Sequence, residues 1–205
     1  DSLGGIITNW DWEFGDGPPP GTSTQDTTSY LYGQAGIYNV TLTVTDTNGC
    51  IGDTTIIVTV DTLPIANFSA TDTCQGDSTF FTNLSIGTSA IITNWDWNFG
   101  DTNTSTDPNP THLYDTAGSY NVTLTVTDSN GCIHDTTITV IVRPNPTANF
   151  YANTICEGDT TFFRDTSTIV LPLGGVITSW NWSMTDPGEG TYINGTSSTS
   201  RHPDF

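Results

Sequence analysis

Tyr120-Asn121-Val122-Thr123-Leu124-Thr125-Val126-Thr127 alternates apolar and polar residues, and Asp128-Ser129-Asn130-Gly131-Cys132 follows at once. Successive side chains of a strand point to opposite faces. Tyr120, Val122, Leu124 and Val126 therefore share a face that needs a core, while Asn121 and the threonines share a wet one. Ser129-Asn130-Gly131 reads as a hairpin, because Asn-Gly tolerates positive φ, and the chain then returns in a final strand predicted over 136–142. Upstream, Trp95, Trp97 and Phe99 keep the same period of two and read as core residues opposite that strand. No stretch carries a helix period.

The same stretch occurs twice. YNVTLTVTDTNGC ends at Cys50 and YNVTLTVTDSNGC at Cys132, an offset of 82. IITNWDWEF at 6–14 returns as IITNWDWNF at 91–99 and, more loosely, as VITSWNWSM at 176–184, so that Trp10, Trp95 and Trp180 are 85 apart each time. The difference between the offsets locates insertions in the loops. A third block, IANFSATDTCQGDSTFFTNLS at 65–85, returns as TANFYANTICEGDTTFFRDTS at 147–167. A fixed period of this size marks tandem folded units. Each unit is expected to begin after a proline-containing linker, Leu63-Pro64 or Arg143-Pro144-Asn145-Pro146. The expected domains are 1–63, partial and lacking its first strands; 64–143, complete; and 144–205, partial, divergent and lacking its last strands. On that reading the chain opens inside a domain and is a window on a longer one. Its acidic start, without an apolar run, does not read as a signal peptide.

Composition supports strands and excludes several functions. Thr supplies about a fifth of the residues, and β-branched side chains favour pleated surfaces over helices. The net charge is −19, and Arg143, Arg164 and Arg201 are the only Lys or Arg. Such a chain repels a phosphate backbone and an anionic membrane surface, so no nucleic acid is expected as partner. No apolar run approaches the roughly 20 residues of a membrane span, so no membrane insertion is expected.

Trp12-Glu13-Phe14-Gly15-Asp16-Gly17 and Trp97-Asn98-Phe99-Gly100-Asp101 resemble the WDFGDG signature of the PKD (polycystic kidney disease) domain. Pro110-Thr111-His112-Leu113-Tyr114 and the Val-Thr-Leu-Thr-Val-Thr-Asp strand strengthen the likeness. In the third unit Trp182-Ser183-Met184-Thr185-Asp186 replaces the signature, and Arg201-His202-Pro203 echoes the histidine motif. The resemblance implies an all-β fold of tandem immunoglobulin-like sandwiches arranged end to end, with Trp12, Phe14, Trp97 and Phe99 as core signature. It implies a non-catalytic extracellular segment: a stalk, adhesin shaft or surface filament. The chain is also similar to giant tandem-PKD surface proteins of Bacteroidetes-type bacteria. The alternative is a PKD spacer or carbohydrate-contacting module of a secreted glycanase or peptidase. Neighbouring PKD domains of the same or adjacent chains, and glycans, are the implied partners.

Cys50, Cys74, Cys132 and Cys156 recur at matching positions, which suggests an oxidising compartment and disulfides. In an immunoglobulin-like sandwich Cys74 and Cys132 fall at opposite ends, separated by about 25 Å of strand, whereas bridged Cα atoms lie within about 7 Å. Bridges between successive domains fit better; intradomain and interchain bridges remain open. Asp16, Asp46, Asp101 and Asp128 recur at turns and are calcium candidates, since calcium takes oxygen ligands, but such residues also bond their own backbone in turns. No other cofactor is implied. His112, His134 and His202 lack a second ligand at metal spacing, and no nucleophile, base and acid recur together, so no catalytic residue is assigned. Asp-Thr-Thr-like triplets place O-glycosylation candidates at Thr54, Thr62, Ser78, Thr116, Thr136 and Thr160, on the pattern of secreted Bacteroidetes proteins.

Overall fold

The computed structural model describes residues 5–156, 158–170, 172–183, 199 and 201. Every regular element among them is a strand. Met184, Thr185, Asp186, His202 and Pro203, which carry part of the third unit's expected motif, lie outside the described residues.

The first four strands are β1 (Ile7–Glu13), β2 (Thr22–Ser23), β3 (Gly36–Asp46) and β4 (Ile51–Val60), in one sheet of order β2-β1-β3-β4. The repeated motifs pair with one another: Trp12 lies opposite Leu42 and Trp10 opposite Val44. β5 (Phe68–Ala70), β6 (Thr73–Cys74), β7 (Ser78–Asn83), β8 (Ile92–Asn98), β9 (Thr104–Ser105), β10 (Thr111–Leu113), β11 (Gly118–Asp128) and β12 (Ile133–Arg143) form two further sheets, β10-β7-β5 and β6-β12-β11-β8-β9. β13 (Phe150–Ala152) and β14 (Phe163–Asp165) make a two-stranded sheet. The contacts group into two compact units. One takes residues 1–66, 85–95 and 125–135; the other takes 67–84, 96–124 and 136–205.

Period two becomes burial in β11, where Val122, Leu124 and Val126 are wholly buried, and in β12, where Val140 and Val142 are buried. Phe68 and Phe81 close over Trp97, with ring centroids 5.0 and 5.4 Å away. The wet face is stitched by threonine. Thr123 and Thr137 share a hydroxyl hydrogen bond of 2.8 Å, and Thr41 and Thr55 repeat it.

Two expectations need adjustment, and the hairpin is where it was expected. The last strand begins at Ile133, three residues before the predicted start, because backbone pairing continues through the polar His134-Asp135. In the hairpin Gly131 N–H donates to Asp128 O at 3.0 Å, and positive φ falls on Gly131. This is a type I turn closed by a glycine bulge. Of the core signature, Phe14, Trp97 and Phe99 are buried, but Trp12 is only half-buried, because no described strands cover it as β5 and β7 cover Trp97.

Candidate functional site

The signature residues build a clamp at the end of β8. Gly100, at φ 79°, lets the chain turn where a Cβ would lie 2.7 Å from Asn121 O. Asp101 then reaches His112, with Nε2 and Oδ2 2.6 Å apart, while its two oxygens accept the backbone and side-chain N–H of Asn103. The His112 ring stacks on Phe99 at 4.2 Å. Tyr114, buried behind it, donates its hydroxyl to Phe99 O at 3.0 Å, and its burial, with the Asp101 charge, pushes its pKa up. Burial pushes Asp101 up too, but the His112 and Asn103 hydrogen bonds outweigh it and hold the carboxyl below its ordinary value.

The first repeat builds the same clamp with a different partner. Tyr30 takes the place of His112, stacking on Phe14 at 4.1 Å and donating its hydroxyl to Asp16. That hydrogen bond is the largest influence lowering the Asp16 pKa. A tyrosine replacing a histidine at one geometry marks a packing and hydrogen-bonding position, not a proton-transfer one. Sequence reading noted His112 as part of a motif and as a histidine without a second metal ligand, not as the partner of Asp101; the signal for the clamp was the pair of retained aspartates with an exchanged aromatic partner.

The other calcium candidates are turn acceptors. Asp128 Oδ1 accepts the N–H of Asn130 and Cys132 at 3.0 and 2.9 Å, and Asp46 does the same for Asn48 and Cys50, both at 2.8 Å. The Cys50 backbone bond is the largest influence lowering the Asp46 pKa. Among the described residues no three His, Cys, Asp or Glu side chains converge to hold a metal. His134 instead accepts the Ala66 N–H at 3.1 Å.

The four cysteines are free thiols. Cys74 pairs in register with Arg143 at the end of β12, whereas Cys132 precedes its first residue. Eleven residues of strand, about 36 Å, separate those positions. Burial, then the Asp128 and Asp61 charges, push the Cys132 thiol up, away from a reactive thiolate.

Among the glycosylation candidates, Thr54 and Ser78 are exposed and Thr136 and Thr160 half-buried. The Thr116 hydroxyl meets Tyr120 Oη at 2.9 Å. Thr62 is committed to the linker: its N–H donates to Ser89 Oγ at 3.0 Å and its hydroxyl to Thr88 Oγ1 at 2.7 Å, while Asn130 binds Asp61.

The family profile described as PKD domain matches residues 1–60 and again 61–142. The chain belongs to the PKD domain family. Over 130 residues, 62% of this chain, it is 35% identical to the pre-pro-metalloprotease PrtV of Vibrio cholerae serotype O1. Over 50 residues, 24% of the chain, it is 50% identical to collagenase ColA of Bacillus cereus. The matched stretches span only 14% and 5% of those relatives' lengths. Among solved structures, the PKD1 domain of Vibrio cholerae PrtV is 38% identical, covering 40% of this chain and 98% of that one at a TM-score of 0.37. The PKD1 domain of Vibrio anguillarum Epp is 32% identical, covering 42% and 100% at 0.39. The fold is thus all-β, built of tandem PKD sandwiches, and PKD domains are non-catalytic modules.

Proposed function

We propose that this chain is a non-catalytic spacer array of an extracellular protein, holding functional regions apart in a stalk, adhesin shaft or surface filament. The observation that carries the reading is the use made of the chemistry-bearing side chains. Asp101 and His112 lock a loop onto Phe99, and Asp46 and Asp128 close turns, so the polar groups that recur serve the fold. The linker supports it as well: Asp61, Thr62 and Pro64 are tied down by hydrogen bonds or burial, which limits bending at proline. The strongly acidic surface resists lateral association.

The paired cysteine positions and the likeness to a pre-pro-metalloprotease and a collagenase support an extracellular setting. In that setting disulfides join the Cys74-type position of one domain to the Cys132-type position of a neighbour, and exposed Asp-Thr or Asp-Ser sites such as Thr54 and Ser78 carry O-glycans. Non-reducing peptide mapping that finds Cys74 joined to Cys132 within one chain contradicts the pairing.

The likeness to PrtV and ColA favours a second reading, in which the array belongs to a secreted peptidase and sets the distance between its catalytic region and its substrate. One experiment tests the spacer role in both. Deleting residues 61–142 from the parent protein is expected to shorten the particle in electron micrographs and to leave turnover of a small soluble substrate, where the parent has one, unchanged. Loss of that turnover contradicts a passive spacer.

A further inference from the structure

The chain crosses from β9 to β10, and so from one sheet to the other, through Thr106-Asp107-Pro108-Asn109-Pro110. Both ends of this crossing are tied down. Asp107 N–H donates to Ser105 Oγ at 3.1 Å, and the Asp107 carbonyl accepts the Trp97 indole N–H at 2.9 Å. Beyond the proline, Asn109 Oδ1 accepts the Asn83 N–H at 2.9 Å, and the carbonyl of buried Pro110 accepts the Phe81 N–H at 3.0 Å. Between these anchors Asp107 and Pro108 are exposed.

The first repeat makes the same anchor with different chemistry. Trp12 Nε1–H donates to Gln25 O at 2.9 Å and Gln25 N–H to Ser23 Oγ at 3.4 Å, but the bond that follows is Gln25–Asp26. The two hydrogen bonds therefore belong to the fold. What residues 107 and 108 add is a carboxylate before the bond and a proline after it. That carboxylate makes no hydrogen bond or ion pair among the described residues, so it is free to turn onto its own carbonyl. The titratable groups of the surrounding elements do not engage it. Asp101 and His112 of β10 bind each other, Asp96 lies on the face of β8 opposite Trp97, and β7 and β9 carry none.

We propose that the Asp107–Pro108 bond is a self-cleavage site that opens in mild acid, with this crossing supplying the chemistry. A protonated Asp107 side chain holds an oxygen where a five-membered ring closes onto its own carbonyl carbon, an intramolecular arrangement of high effective concentration. Oδ bonds to that carbon, the Trp97 N–H stabilises the charge gathering on the carbonyl oxygen, and the tertiary amide bond to Pro108 breaks. The electron pair of the broken bond stays on the Pro108 nitrogen, which takes the carboxyl proton and leaves as a secondary amine. Water then opens the exposed cyclic anhydride, so one water is consumed and Asp107 becomes a new C-terminus. The step happens once per chain, and the module stays non-catalytic toward other molecules. The nicked domain also stays assembled, because β10 with β7, β12 with β6, and His112 on Phe99 all bridge the cut. Acid thus turns a continuous domain into a release point. This goes beyond the spacer reading and stands or falls separately from it.

The test holds the 205-residue chain at a pH of about 5, where a small fraction of an ordinary aspartate is protonated and the chain remains above its pI of 4.1. Samples with and without urea are followed by denaturing electrophoresis and mass spectrometry, with circular dichroism verifying the fold. Fragments 1–107 and 108–205 are expected to appear about tenfold or more faster from the folded chain than from the chain in urea. Without urea they are expected to elute together at the size of the intact chain. Asp107→Glu, which enlarges the ring, and Pro108→Ala, which restores a secondary amide, change exposed residues and are expected to stop the cleavage. Trp97→Phe is expected to lower it to the rate in urea; where that core variant fails to fold, the two exposed variants carry the test. No cleavage at 107–108, cleavage no faster from the folded chain than in urea, or cleavage that persists in Asp107→Glu overturns the proposal. Fragments that separate without denaturant contradict the assembled product.

Discussion

At Gly100 the backbone takes a positive φ beside Asn121 O, and an added methyl group would meet that oxygen. The left-handed conformation alone costs an L-residue about 1–2 kcal/mol. Gly100→Ala is therefore expected to destabilise residues 61–142 by more than that in chemical denaturation. The clamp beside it gives a graded prediction. His112→Tyr reproduces the Asp16–Tyr30 arrangement and is expected to be tolerated, whereas His112→Ala removes both the stack and the hydrogen bond and is expected to cost about 1–3 kcal/mol. Acid acts on the same residues. Asp101 is held below its ordinary value, and Asp165 lies at about 2 because Ser167 above all, then Trp180 and Arg201, bind its carboxylate. Each contributes stability that is fully present above the free-aspartate value near 3.8 and is lost as pH falls through the folded value. Thermal melts are expected to fall in that window, and Asp101→Asn is expected to flatten the fall.

At the scale of elements, the Asp-x-Asn-Gly-Cys hairpin separates charge from acceptor geometry. Asp128 uses Oδ1 for two backbone N–H groups, while Oδ2 is buried without a hydrogen-bond partner. Asp128→Asn keeps an oxygen at the first position and removes a buried charge, so it is expected to match or exceed wild-type stability. Asp128→Ala leaves two donors unpaired and is expected to cost about 1–3 kcal/mol. Strand alternation made β3, β8 and β11 legible in the sequence, since each carries its apolar residues on one face. β6 was not legible: two residues, Thr73-Cys74, pair in parallel with Val142-Arg143, and a contact that short has no period to read. The clamp was only half legible, because His112 lies eleven residues beyond Asp101 with β9 between them, and spacing says nothing about where such a segment closes. Trp12 is half-buried because no described strand covers it as β5 and β7 cover Trp97, so a local sequence nearly the same as at Trp97 does not predict its burial.

For the whole molecule, a net charge of −19 on 205 residues implies self-repulsion that salt screens. Melting temperature is expected to rise with moderate sodium chloride, and a fall would show that the few ion pairs, such as Arg143 with Asp72 at 3.7 Å, outweigh repulsion. The spacer proposal is mechanical: on it, residues 61–142, which the family profile matches as one domain, unfold under tension as a unit. Single-molecule force extension of the chain tests this most directly. The structure predicts a discrete unfolding event that releases roughly 280 Å of chain, the contour length of 82 extended residues at about 3.4 Å each, less the folded span. Smooth extension at low force, without that step, would contradict it.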